Sequence, residues 1–137
     1  MRLTLHENRA PTRALRAALD EIGSRYDLAP AALFELKVAA TEALTNALKG
    51  SAEGNGVEVA LHPSEDEIEI EVQNHGTFEL DDPARAELEA EGGRGIPLML
   101  ALVDEVEFSS SRGGTRVRMR KRTGRQRRGE LRPLRST

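Results

Sequence analysis

The sequence predicts an α+β fold, a two-layer α/β sandwich with helices packed on one face of a mixed, mostly antiparallel sheet. Three observations carry that expectation. Apolar residues recur at helical spacing from Ala14 to Ala47, and after Gly54-Asn-Gly56 the period switches from 3.6 to two. A further apolar helix, residues 96–103, then separates two more short strands. A chain of 137 residues fits one domain and can bury a core.

Each element has its own signature. Leu3 and Leu5 alternate with Arg2, Thr4 and His6, which reads as a half-buried strand. Asn8 and Thr12 stand where a helix should begin, with Pro11 tolerable in its first turn. Ala14, Leu15, Ala18, Leu19 and Ile22 form that helix's apolar stripe, and Gly23 falls near its end. A second helix is expected from Pro30 to Lys49, stopped by Gly50, with Leu33, Leu36, Ala40, Ala43, Leu44 and Ala47 inward. Val57, Val59 and Leu61 alternate with Glu58, Ala60 and His62. Beyond a turn at Pro63-Ser-Glu-Asp66, Ile68, Ile70 and Val72 alternate with Glu67, Glu69 and Glu71. These are neighbouring antiparallel strands with one wet, acidic face. Residues 77–94 are polar, with a short helix over Pro83 to Glu91, and their glycine and proline flanks suit a lid. Val106 and Phe108 share a strand, Val117 and Met119 the last one, with Ser109 to Gly114 as the turn.

Charge is distributed unevenly. Residues 119–137 hold eight of the 20 Lys and Arg and one of the 23 acids, so the body is strongly acidic. An acidic body argues against a nucleic-acid-binding domain. The folded domain is expected over 1–122, with 123–137 a basic, disordered tail lacking apolar periodicity. A solvated terminus explains the tail; nonspecific nucleic-acid contact or docking to an acidic partner are the sharper alternatives. Cysteine is absent, so neither disulfides nor thiolate metal sites contribute. With no apolar leader and no apolar run approaching ~18 residues, the chain is expected to be soluble, cytoplasmic and free of the membrane. Its three scattered histidines do not suggest zinc.

Four short motifs carry the chemistry. Glu42-Ala-Leu-Thr-Asn46 places two polar groups on one helix face, which by itself is only a helix's wet edge. Asn74-His-Gly76 closes a strand and is compatible with a plain strand exit. Gly92-Gly93-Arg94-Gly95 opens the apolar helix; such a turn can offer backbone N–H groups to an anion or simply be a flexible loop. Arg94 would face a phosphate or water. Gly113-Gly-Thr115 begins the final strand, where Thr115 is also an ordinary β-branched residue.

In this order, over residues 1–121, the motifs resemble the ATP-binding domain of the GHKL superfamily (the Bergerat fold). Within it they are most similar to the RsbW-like anti-sigma factor serine-protein kinases. The resemblance implies that Asn46 ligates Mg²⁺ through its side-chain oxygen and that Glu42 is the general base toward an attacking serine. It makes Asn74, Gly76, Gly93, Arg94, Gly95 and Thr115 nucleotide-binding residues. Asn74 stands where the family has the Asp that accepts from the adenine amino group, and Phe78 replaces its second Gly. An Asn carbonyl can still accept, without a charge assistance of about 1 kcal/mol, and a turned amide could donate to guanine instead.

The implied activity is serine-protein kinase action of an ATP/Mg²⁺-binding anti-sigma factor, regulating transcription by partner switching. Its implied partners are a sigma factor and a STAS-domain antagonist, which phosphorylation would expel from the acidic surface by repulsion. Many members are homodimers. Two rivals stand beside this reading: a non-catalytic or weakly nucleotide-binding module that titrates its partner, and a switch kinase controlling a phosphatase or signalling complex.

Overall fold

The computed structural model describes residues 1–49, 56–74, 98–111 and 114–123. The strands are β1 (Arg2–Leu5), β2 (Val57–Pro63), β3 (Glu67–Asn74), β4 (Glu105–Ser111) and β5 (Gly114–Arg122); the long helices are α1 (Pro11–Arg25) and α2 (Pro30–Lys49). They form one five-stranded sheet of order β1-β2-β3-β5-β4, with both helices on one face. Every described pairing is antiparallel, a narrower result than the mixed sheet expected. No described helix is long and apolar enough to cross a membrane.

The helices follow their apolar stripes, and α2 has the bounds expected, but the start of α1 is capped differently. Leu15, Ala18, Leu19 and Ile22 of α1 are buried. Neither Asn8 nor Thr12 caps this helix. The N-cap is Ala10, held at φ 51° with no side-chain cap hydrogen bond. Gly23 lies two residues from the end of α1, near it as expected. A Cβ built there would come 2.8 Å from Leu33 Cδ2, so the missing side chain lets α1 and α2 approach. Along α2, Leu36, Ala39, Ala40, Ala43, Leu44 and Ala47 are buried, and the four small alanines let the helix lie close to the sheet.

Period-two alternation sets the sheet. Ile68, Ile70, Val72 and Asn74 of β3 all point inward, so the polar Asn74 takes the fourth place in an apolar row. Leu61 and Met119 pack in the same core. Strands β4 and β5 reach further than expected, to Ser111 and from Gly114, leaving only 112–113 between them outside the described residues. Of the apolar helix before β4, residues 98–102 are described as helical. Met99 and Val103 are buried, whereas Leu98 and Leu100 are exposed, so one face of this segment meets solvent. Lys121 sits on the inward side of β5 and donates to Leu102 O at 2.7 Å and Glu35 Oε1 at 2.9 Å, capping that segment and tying it to α2.

The open face is not uniformly acidic. Cross-strand register sets Glu71, Arg118 and Glu107 in one row and Glu69, Arg120 and Glu105 in the next. Arg118 reaches Glu107 at 3.1 Å and Glu71 at 3.3 Å; Arg120 reaches Glu105 at 2.9 Å and Glu69 at 3.2 Å. The Arg120 guanidinium is held above its usual pKa, first by its hydrogen bond with Glu69 and then by the charge of Glu105. The arginines of β5 thus offset part of the acidity of β3 and β4, and each of these two rows keeps two carboxylates to one guanidinium.

Thr123 marks the end of the described chain. It is buried, donates from its N–H to Asp66 O at 3.1 Å and from Oγ1 to Glu65 O at 3.1 Å. It therefore belongs with the sheet, one residue beyond the expected boundary. Residues 124–137 lie outside the described residues.

Candidate functional site

Glu42 and Asn46 lie one turn apart on α2, on the half-buried flank between the core stripe and solvent. Asn46 Nδ2 donates to Glu42 Oε2 at 3.3 Å. A carboxylate only accepts, so this contact turns the amide nitrogen toward Glu42 and leaves Asn46 Oδ1 without a partner among the described residues. Mg²⁺ takes oxygen ligands and keeps much of its water, so one free amide oxygen is a suitable protein donor. The donor set therefore fits Mg²⁺ at Asn46. Among the described residues no cluster of three or more His, Asp or Glu could hold a metal.

The next residue on α2 carries the connection to the sheet. Asn74 is fully buried and donates from Nδ2 to Ala47 O at 3.2 Å. That carbonyl is among the last four of α2, which have no intrahelical donor, so Asn74 acts as a C-terminal cap from another element. On its other side, Asn74 Oδ1 accepts from Thr115 N–H at 2.7 Å and Thr115 Oγ1–H at 3.1 Å. A backbone carbonyl only accepts and a backbone N–H only donates. Together they fix the amide in one orientation, and the free turning expected from sequence would break these bonds.

Gly114 makes the approach of β5 feasible. It holds φ 134°, and a Cβ built there would stand 2.8 Å from Asn74 Oδ1 and closer still to the Asn74 backbone carbonyl. Thr115 is buried directly after it.

Four of the expected residues are thus brought together: Glu42 with Asn46, and Asn74 with Thr115, joined through the last turn of α2. Gly76, Gly93, Arg94 and Gly95 lie outside the described residues, as does the expected lid. Sequence reasoning missed Ala47 O and the steric role of Gly114. The signal for the first was present: the period-two row from Ile68 continues to Asn74, so a polar side chain had to find partners inside.

Comparison with known proteins bears on the family and the fold. A family model for the histidine kinase-like ATPase domain matches residues 6–121. The serine-protein kinase RsbW of Listeria innocua is 33% identical over 113 residues, covering 72% of this chain and 71% of the relative. RsbW of Listeria monocytogenes is 31% identical over 114 residues, with the same coverage of 72% and 71%. The crystal structure of the RsbU and RsbW domains of Rv1364c from Mycobacterium tuberculosis superposes with a TM-score of 0.70 at 20% identity. That match covers 89% of this chain and 32% of the other, and it bears on the fold alone. The buried Asn74–Thr115 contact, the Glu42–Asn46 pair and the antiparallel sheet under two helices are accordingly features of a chain that belongs to the histidine kinase-like ATPase family, in its RsbW-like group.

Proposed function

We propose that the chain is an ATP- and Mg²⁺-dependent serine-protein kinase and anti-sigma factor, whose phosphoryl acceptor is a STAS-domain antagonist. The observation that carries this reading is the Glu42–Asn46 pair on the helix turn that Asn74 fastens to β5. Glu42 accepts the proton of the acceptor serine. The serine oxygen bonds to the γ-phosphorus as the bond to the bridging oxygen breaks, and ADP leaves. The Asn46 amide N–H steadies the Glu42 carboxylate, and its free oxygen is the proposed ligand for Mg²⁺. Mg²⁺, when bound, supplies neutralisation of phosphate charge. Gly76, Gly93, Arg94 and Gly95 are proposed to complete the nucleotide site, and the cytoplasm is the proposed compartment. The sigma factor is the proposed second partner.

Labelled ATP, Mg²⁺ and a STAS-domain protein test the reading. Glu42→Gln should leave nucleotide binding intact and lower transfer by ~10²-fold or more. Asn46→Ala should weaken Mg²⁺-dependent nucleotide binding itself. Wild-type transfer by Glu42→Gln would remove Glu42 from the chemistry.

A second reading, a partner-titrating module without kinase activity, is favoured by one observation. Asn74 Oδ1 already accepts two hydrogen bonds, which weakens it as an acceptor for adenine.

A further inference from the structure

The hydrogen-bonding capacity of Asn74 can be counted. An amide oxygen accepts two bonds well, and both positions are taken by Thr115 N–H and Oγ1–H. The amide nitrogen has two hydrogens, and Ala47 O takes one. The other has no partner among the described residues, although the side chain is fully buried. An unpaired buried donor is unfavourable until something accepts from it.

We infer that Asn74 meets the base of a bound nucleoside triphosphate as a hydrogen-bond donor, so that 6-oxopurines are admitted on at least equal terms with adenine. This rests on the nucleotide reading above and names the range of phosphoryl donors. The 6-oxygen of guanine or hypoxanthine accepts from the free Nδ2 hydrogen. The adenine 6-amino group brings a donor against a donor, or a third donor to a filled oxygen. Reversing the amide to suit adenine is opposed from both sides. It would set Oδ1 against the Ala47 carbonyl and Nδ2 against the Thr115 N–H. The selectivity is therefore fixed by residues on α2 and β5 rather than by the amide alone.

The test is direct binding of ATP, ITP and GTP with Mg²⁺ to the full chain, by calorimetry. ITP differs from ATP only at the six-position and the adjoining ring nitrogen, so it isolates the contact. ITP should bind as tightly as ATP or more tightly. Asn74→Asp supplies only acceptors and should move the ATP/ITP affinity ratio toward ATP by about tenfold. Should that variant not fold, Thr115→Val removes one donor from Oδ1, keeps the backbone N–H, and should move the ratio the same way by a smaller factor. A native preference for ATP of about tenfold or more would overturn the inference while leaving the nucleotide reading intact. An unchanged ratio in both variants would also overturn it. No binding of any of the three would overturn both.

Discussion

Replacing Asn74 by Ala tests the coupling between α2 and the sheet. The substitution removes three hydrogen bonds: those to Ala47 O, Thr115 N–H and Thr115 Oγ1. The hydroxyl can rotate toward another acceptor, so it contributes little. The carbonyl and the amide cannot move without unwinding α2 or bending β5. Each is left buried without a partner, at about 1–3 kcal/mol apiece. A loss of about 3 kcal/mol follows once partial entry of water is allowed. At about 4 °C per kcal/mol for a domain of this size, Tm should fall by about 12 °C. Thr115→Val, which deletes only the hydroxyl bond, should lower Tm by about 4 °C. The double variant should lose less than the sum, because the hydroxyl has no Asn74 left to serve, with a coupling of about 1 kcal/mol. Thermal denaturation followed by circular dichroism reads all three. A drop of less than about 3 °C for Asn74→Ala would refute the claim that this side chain fastens the helix to the sheet.

Two further stability predictions come from the chain's ends and turns. A chain ending at Thr123 should keep its Tm within about 2 °C, whereas one ending at Arg122 should lose about 4 °C or more, since Thr123 bonds to the β2–β3 turn. Equal melting of the two truncations would show that Thr123 does not hold the sheet's end. Ala10→Gly relieves a left-handed residue, which costs about 1 kcal/mol for a side chain with a Cβ. About half of that is offset by the looser unfolded chain, so a rise in Tm of about 2 °C is expected, and a fall would mean that Ala10 is not strained.

The layers were legible because periodicity reports burial directly. The stripe through Leu36, Ala40, Ala43, Leu44 and Ala47 gave α2 with its bounds, and Ile68, Ile70 and Val72 gave β3 with its inner face. Helix α1 was harder to bound. Its N-cap depends on the backbone angle of Ala10, which no side chain announces. Gly23 was placed near the helix's end, but its contact with Leu33 could not be read, because a glycine for helix contact carries no mark of its own in one dimension. The open face was legible only in part, for a different reason. Glu67, Glu69 and Glu71 are acidic in sequence, but the arginines that offset them lie about fifty residues away, and only strand order brings them alongside. At the site, Glu42 and Asn46 were readable as one face from spacing alone. The Asn74 partners were not, because they come from the end of a helix and the start of a strand distant in sequence.

The ion rows also bear on how the strands find their alignment. Outward residues of β3 and β5 repeat Glu against Arg at every second position, so a slip of two residues would still pair opposite charges over most of its length. The open face is therefore nearly indifferent to that error. The inner face is not. It is apolar along the middle of the β3–β5 pair, with Asn74 meeting Thr115 at one end and Lys121 beside Ile68 at the other. A two-residue slip would bury Asn74 against Val117, or carry Lys121 away from Leu102 O and Glu35. One polar contact at each end thus specifies an alignment that the charges between them leave degenerate, as single buried polar groups do in other β and helical assemblies.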